Sequence, residues 1–136
     1  MFARELDAIT RLLGKTPGSL LDVGCAYGVL LQEAHTRSIA AVGLELSDAA
    51  VQYCRGSGLS IRQGGLGSLE IDERFEVVFM WDVLEHLADP ARAIAEAREH
   101  IVPGGVLTLV VPDRGSAAAR WLGERWWSVC EPHLHY

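Results

Sequence analysis

Apolar and polar positions along this chain recur with two periods, and the switches between them lay out an alternating order of strands and helices. Phe2, Leu6, Ile9 and Leu13 stand at helical spacing, so residues 2–13 predict an amphipathic helix stopped at Gly14. After a loop carrying Pro17 and Gly18, residues 19–23 predict a first strand, and a helix from 28 to about 37 follows. Residues 39–44 form a short continuous apolar run, as in a strand buried on both faces. Ser47 is a cap for a helix over 48–55, with Gly56 placed to end it. Residues 59–62 predict a weak third strand, and 63–74, with Gly64, Gly65 and Gly67, a loop or a single helical turn. Residues 75–81 predict a strong strand. Asp89 and Pro90 open a helix to about 100, as a cap followed by proline at the first helical position. Pro103-Gly104-Gly105 turns the chain into a very apolar strand over 106–111. Five strands alternating with helices predict an α/β fold, a doubly wound parallel sheet.

The junction of the first strand and its helix carries the most chemistry. Asp22-Val23-Gly24-Cys25-Ala26-Tyr27-Gly28 passes from strand through a glycine turn directly into helix. That succession builds a nucleotide-type crevice at the carboxyl end of a strand. Gly24 can take backbone geometry closed to residues with a Cβ, and Gly28 permits close packing of helix on strand while a ligand lies on bare main chain. The spacing is G-x-x-x-G. A dinucleotide turn, G-x-G-x-x-G, seats a pyrophosphate on the helix N-terminus; here Ala26 stands at its second glycine. Asp22 beside the turn disfavours a phosphate and suits a cation or an amine. The second strand ends at Glu45, about 20 residues beyond the turn, where a carboxylate can accept both hydroxyls of a ribose. Alone, Glu45 reads equally well as an acid in a solvated loop; with Asp22 and the turn, the ribose role is preferred.

Composition narrows the field. At 136 residues, 49% hydrophobic and 22% charged, the chain fits one globular domain. A net charge of -6 without a basic run argues against a nucleic-acid partner. Cys25, Cys54 and Cys130 are too widely spaced for a C-x-x-C metal site or a disulfide framework, and predict reduced thiols in a cytoplasmic protein. No apolar run approaches the roughly 20 residues a bilayer span needs, so a membrane role is not expected.

These residues resemble the class I S-adenosylmethionine-dependent methyltransferases, of the type 11/12/23-like group. Asp22 to Gly28 is similar to that family's first motif, and Glu45 matches its ribose-binding acid. Phe75-Glu76-Val77-Val78 resembles the opening of the fourth strand. Asp82-Val83-Leu84-Glu85-His86-Leu87 with Asp89-Pro90 resembles the start of the next helix. Ile101-Val102-Pro103-Gly104-Gly105-Val106-Leu107 resembles the turn before the fifth strand. The likeness covers about residues 18–112. It implies a Rossmann-like sheet in the order 3-2-1-4-5 with helices on both faces, and S-adenosyl-L-methionine as cofactor. It also implies a cofactor site over Asp22, Gly24, Cys25, Ala26, Gly28, Glu45, Leu46, Leu66 and Trp81. In that site the backbone at Gly24 and Cys25 meets the amino-acid moiety, and Asp22 orients the turn, acting directly or through water. Trp81 contributes a main-chain contact to the amino group, and the adenine lies over Leu46 and against Leu66. The cofactor has an amine, a sulfonium, a ribose diol and an adenine but no phosphate, which agrees with acids and bare backbone.

One position departs from the pattern. The family usually places an acid after the third strand to bond the adenine amino group, and Gly65 stands there, leaving backbone, Ser68 or Gln63. Asp82, Glu85 and His86 are candidates for a general base set or a metal cluster, since a spacing of three or four puts their side chains on one helical face. Some quinone-pathway O-methyltransferases, which the segment resembles, carry acids and a histidine here. The preferred reading is that Glu85-His86 shapes the crevice floor and acceptor entrance, with no metal, since methyl transfer depends heavily on positioning. His133 and His135 read as an acceptor-side loop, and Trp121, Trp126 and Trp127 as either pocket lining or packing.

The family sheet has seven strands, and this sequence ends before the last two, an antiparallel hairpin. The expected division is therefore 1–17 as helix and loop, 18–112 as core and 113–136 as a Trp-rich tail, in a truncated domain. A bare fifth strand predicts a homodimer through that edge, or cover from the tail. The function expected is methyl transfer to a small-molecule acceptor. The alternatives are a domain that binds the cofactor without turnover and an NAD-type oxidoreductase, which the missing G-x-G-x-x-G disfavours.

Overall fold

The structure, a computed structural model, describes residues 2–123 and residue 126. Five strands, β1 (Ser19–Val23), β2 (Ala40–Glu45), β3 (Ile61–Gln63), β4 (Phe75–Trp81) and β5 (Ile101–Val110), form one sheet in the order β3-β2-β1-β4-β5. Every neighbouring pair is parallel. The helices are α1 (Phe2–Leu13), α2 (Val29–Thr36), α3 (Asp48–Gly56), α4 (Pro90–Glu99) and α5 (Ala117–Leu122). The order and the helical layers are those the resemblance implied.

Side-chain alternation along the inner strands divides the core between two faces. Leu20, Val77 and Phe79 point to one face and pack with Leu6 and Ile9 of α1 and Leu30 and Ala34 of α2. Leu21, Val23, Val78 and Met80 point to the other, against Leu66 and against Ala93 and Ala97 of α4. A third cluster, Cys25, Leu31, Val51, Cys54 and Ile61, closes α3 onto the sheet. Parallel strands covered on both faces must be apolar throughout, which explains the continuous runs of β2 and β4.

Helix starts follow from local chemistry. Ser47 accepts from the Ala50 N–H at 3.5 Å, and Asp89 accepts from the Arg92 N–H at 2.9 Å with Pro90 at the first turn. Strand limits moved by a residue or two at β2 and β3. The larger correction is β5, which begins at Ile101, five residues before the expected start. Ile101 already pairs with Phe75, and Val106 pairs with Val77, so the residues between bulge from the ladder. Gly104, at φ 80°, takes the left-handed turn. A Cβ at Gly105 would lie 2.7 Å from the Glu76 carbonyl. The Pro-Gly-Gly signal is a kink inside the strand.

Because β1 runs to β2 on one side while β3 crosses over to β4 on the other, the chain changes direction between β1 and β4. A crevice opens at the carboxyl ends of the strands at such a switch point. The stretch between β3 and β4 is pinned by Arg62, whose guanidinium nitrogens both donate to Glu73 at 2.6 Å. That pairing holds the Glu73 carboxyl down to about 2. The expected features at Trp127, Cys130, His133 and His135 lie outside the described residues; Trp121 is exposed and Trp126 buried.

Candidate functional site

The crevice is built around the turn after β1. Gly24 and Cys25 both donate their N–H to the Leu44 carbonyl, at 2.8 and 3.0 Å, which folds the turn over the end of β2. Gly24, Ala26 and Gly28 sit at φ 73°, 45° and 72°. A Cβ at Gly24 would lie 2.6 Å from Val83 Cγ2, so the segment after β4 closes directly on bare backbone. At Gly28 it would meet Leu59 Cδ1 at 2.6 Å and Cys54 Sγ at 3.0 Å, so the close approach at this glycine is to α3 and the residues after it, where the sequence pointed to a strand.

Glu45 finishes β2 and ties this turn to the next. One carboxylate oxygen accepts from the Ala26 N–H at 2.9 Å; the other accepts from Leu46 and Ser47, both at 2.8 Å. Three main-chain donors hold the carboxylate in one orientation at the mouth of the crevice, and the oxygen that bonds Ala26 keeps a lone pair free.

Two cavities adjoin at Gly24. The first, about 230 Å³, is lined by Gly24, Leu44, Glu45, Leu46, the 64–66 segment, Met80, Val83, Leu87, Ala93 and Glu96. It is largely apolar, with the Leu46 side chain 74% exposed above it and Leu66 buried in its wall. The second, about 340 Å³, lies beside Asp22, Cys25, Ala26, Tyr27, Trp81 and Asp82, with Phe2 of α1 at its edge. Trp81 stacks obliquely on Phe2 at 5.0 Å and donates its indole N–H to Thr108 at 3.0 Å. Its ring is thereby committed to the wall of this cavity.

Asp22 differs from Glu45 in its surroundings. It is 7% exposed, flanked in register by Gly43 and Phe79, and no described group donates to its carboxylate. Burial, then the charge of Glu45, pushes its carboxyl up to about 7. Burial first, then Asp22, pushes the Cys25 thiol up to about 12, which disfavours the thiolate. The acids Asp22, Glu45, Asp82 and Glu96 line the two cavities, and neither is lined by any described Lys, Arg or His. That donor set suits a cationic ligand with a diol and a flat apolar group, and it offers nothing to a phosphate.

Asp82, Glu85 and His86 do not share one helical face, which corrects the expectation from their spacing. The segment is a short 3-10 turn, Leu84–His86, preceded by Asp82 in the left-handed region at φ 52°. Glu85 points inward at 2% exposure, with both oxygens buried and unbonded among the described residues. Asp82 and His86 face outward. Among the described residues no group of three such side chains could hold a metal ion. The candidate adenine partners are also otherwise engaged. Ser68 Oγ donates to the Gly65 carbonyl at 2.6 Å, Gln63 donates to Asp48, and neither lines the cavity. Phe2 and Glu96 are lining residues that no sequence signal marked, because each reaches the crevice from a helix away from the glycine turn, and Val83, inside a quoted motif, was not singled out.

With this geometry in view, comparison with known proteins is direct. A family model described as a methyltransferase domain matches residues 1–136. The ubiquinone biosynthesis O-methyltransferase of Alkalilimnicola ehrlichii is 35% identical over 110 residues, covering 74% of this chain and 44% of that protein. The enzyme of the same name from Cereibacter sphaeroides is 30% identical over 134 residues, covering 92% and 53%. Among solved structures, the S-adenosylmethionine-bound amino pentose methyltransferase CalS10 of Micromonospora echinaspora superposes with a TM-score of 0.70 at 30% identity. That match covers 79% of this chain and 48% of the other. The chain thus spans about half the length of the relatives it matches.

Proposed function

This chain belongs to the methyltransferase-domain family, and from that premise we propose that it binds S-adenosyl-L-methionine and directs its methyl group to a small-molecule acceptor. The observation that carries the proposal is the pair of largely apolar cavities meeting at Gly24, with Asp22, Glu45, Asp82 and Glu96 on their walls and no described basic residue. When bound, S-adenosylmethionine supplies a methyl group on a positively charged sulfur, activated for in-line displacement by an acceptor heteroatom.

The chain's own residues do the holding. Glu45, oriented by three N–H donors, accepts the ribose hydroxyls. Leu46 and Leu66 sandwich the flat base across the smaller cavity. The main chain at Gly24, Cys25 and Trp81 and the carboxylate of Asp22 receive the amino-acid end, beside Ala26 and Gly28 of the same turn. Phe2 and Trp81 screen that cavity from water on one side. Catalysis then rests on orientation and on the negative field of the crevice, and no general base is assigned to Asp82, Glu85 or His86. An acceptor bearing a hydroxyl or an amine is the class that the named activities of the relatives support.

Two further expectations belong to this proposal. Cys25 and Cys54 stand as free, buried thiols, which supports a reducing, cytoplasmic setting; no described helix is long and apolar enough to cross a membrane. β5 lies at the sheet edge with Leu109 and Val110 exposed, which supports pairing with a second copy. Sedimentation should show a dimer that Leu109→Lys dissociates, and a monomer at all concentrations removes that part.

The deciding experiment is calorimetry with S-adenosylhomocysteine and with NAD. Saturable binding of the first and none of the second is expected. The reverse pattern would overturn the reading.

A further inference from the structure

We propose that Glu96, on α4, accepts a hydrogen bond from the exocyclic amino group of the adenine, taking the part that Gly65 leaves vacant after β3. The inference rests on the cofactor reading above and assigns a base-specificity residue to the same site. An amino group buried in an apolar cavity needs an acceptor, because an unmade hydrogen bond there costs more than a made one contributes. The acceptors along the smaller cavity are few. Both oxygens of Glu45 are turned to three main-chain N–H groups at the ribose end. The Gly65 carbonyl already accepts twice from Ser68, at 3.0 and 2.6 Å. Glu96 lines the cavity one helical step from Ala93, half-buried, and no described residue bonds or pairs with its carboxylate.

The local packing places that carboxylate over the glycine-rich turn. Ala93 and Ala97 of α4 pack with Leu66 in one core cluster. Glu96 Oε1 lies only 3.7 Å from where a Cβ of Gly67 would stand. A Cβ at Gly65 would meet nothing within 4 Å, so the space of the absent side chain is open to what reaches in from α4. Two glycines in the turn and a glutamate on the facing helix therefore read as one exchange, with the acid moved across the cavity.

The test uses S-adenosylhomocysteine and S-inosylhomocysteine, which carries a carbonyl in place of the amino group, with calorimetry on the full chain. Wild type should prefer the adenine compound by about tenfold or more, the scale of one hydrogen bond to a charged acceptor. Glu96→Ala should lose about tenfold for the adenine compound and little for the inosine one. Glu96→Gln, whose amide can donate to the carbonyl, should narrow or reverse the preference. Gly65→Asp added to Glu96→Ala should restore it, since residue 65 has ordinary backbone angles and free space. Full retention of adenine affinity in Glu96→Ala, or equal loss of both ligands, overturns the assignment while the cofactor reading stands. Failure of wild type to bind S-adenosylhomocysteine at all overturns both.

Discussion

The ends of β1 and β2 each present a carboxylate to the same crevice, and their environments make them different instruments. Glu45 is held by three main-chain donors from its own turn and the neighbouring one. Asp22 is buried between Gly43 and Phe79 with no described donor, and its carboxyl is pushed up to about 7 by burial and by Glu45. A carboxylate prepaid with hydrogen bonds is a fixed acceptor, suited to hydroxyls that bring no charge. A carboxyl poised near neutrality by desolvation is a group whose ionisation a cation can recruit. On the proposed reading, recognition of a diol and recognition of an amine are separated by backbone chemistry, with the same functional group used twice.

The largest effect that would break this contrast is Glu45→Ala. It removes the proposed ribose acceptor and leaves the N–H groups of Ala26, Leu46 and Ser47 without their partner. S-adenosylhomocysteine affinity should fall at least a hundredfold, about 2.7 kcal/mol. Calorimetry showing equal binding by the variant would remove Glu45 from the site.

Asp22→Asn sharpens the other half. In the wild type, the apo protein binds a proton at Asp22 more tightly than the unfolded chain does, whose carboxyl stays near 3.8. Stability from this group is therefore fully present below about pH 4 and is lost as pH rises through about 7. Asn cannot ionise, so the variant should outlast the wild type in denaturant at pH 8 and lose that advantage at pH 4. Ligand affinity should move oppositely. The wild type should bind the ammonium-bearing S-adenosylhomocysteine more tightly as pH rises from 6 to 8, and the variant weakly and without that slope. A pH-independent wild-type affinity would show that Asp22 does not meet the charge.

The smallest effect concerns the turn that joins the two acids. Ala26 sits at φ 45°, where a Cβ is disfavoured, yet its N–H is the link to Glu45. Ala26→Gly should stabilise the fold by about 0.5–1 kcal/mol in chemical denaturation without weakening cofactor binding. A destabilised variant would mean that the methyl group packs usefully and that the left-handed backbone is not the governing cost.

Features that depend on neighbours in the chain were legible from the residues alone. The apolar runs of β1, β2 and β4, the Ser47 and Asp89 caps and the departure of the glycine turn from the dinucleotide spacing all follow from local sterics and periodicity. They suffice to order the strands once the family resemblance is added, and to point at Asp22, Gly24, Gly28 and Glu45. Where local signals competed with pairing, the structure decided. Pro103-Gly104-Gly105 looks like a turn, but β4 pairs Phe75 with Ile101, the Phe75 N–H donating to the His100 carbonyl at 2.8 Å, and draws the strand back across it. Asp82, Glu85 and His86 have helical spacing, but the chain leaves β4 through a left-handed residue into a 3-10 turn that splits them between interior and surface.

By itself, then, the sequence determined the α/β order, the parallel sheet and the preference for a cationic ligand free of phosphate. These are properties of residue type and spacing, which the backbone reads within a few positions. Only the tertiary structure decided which carboxyl is buried and near neutrality, which is clasped by N–H groups, and which acid approaches the glycine-rich turn at Gly67. Burial and proximity are set by elements tens of residues apart, and electrostatic character follows from them rather than from the identity of the side chain.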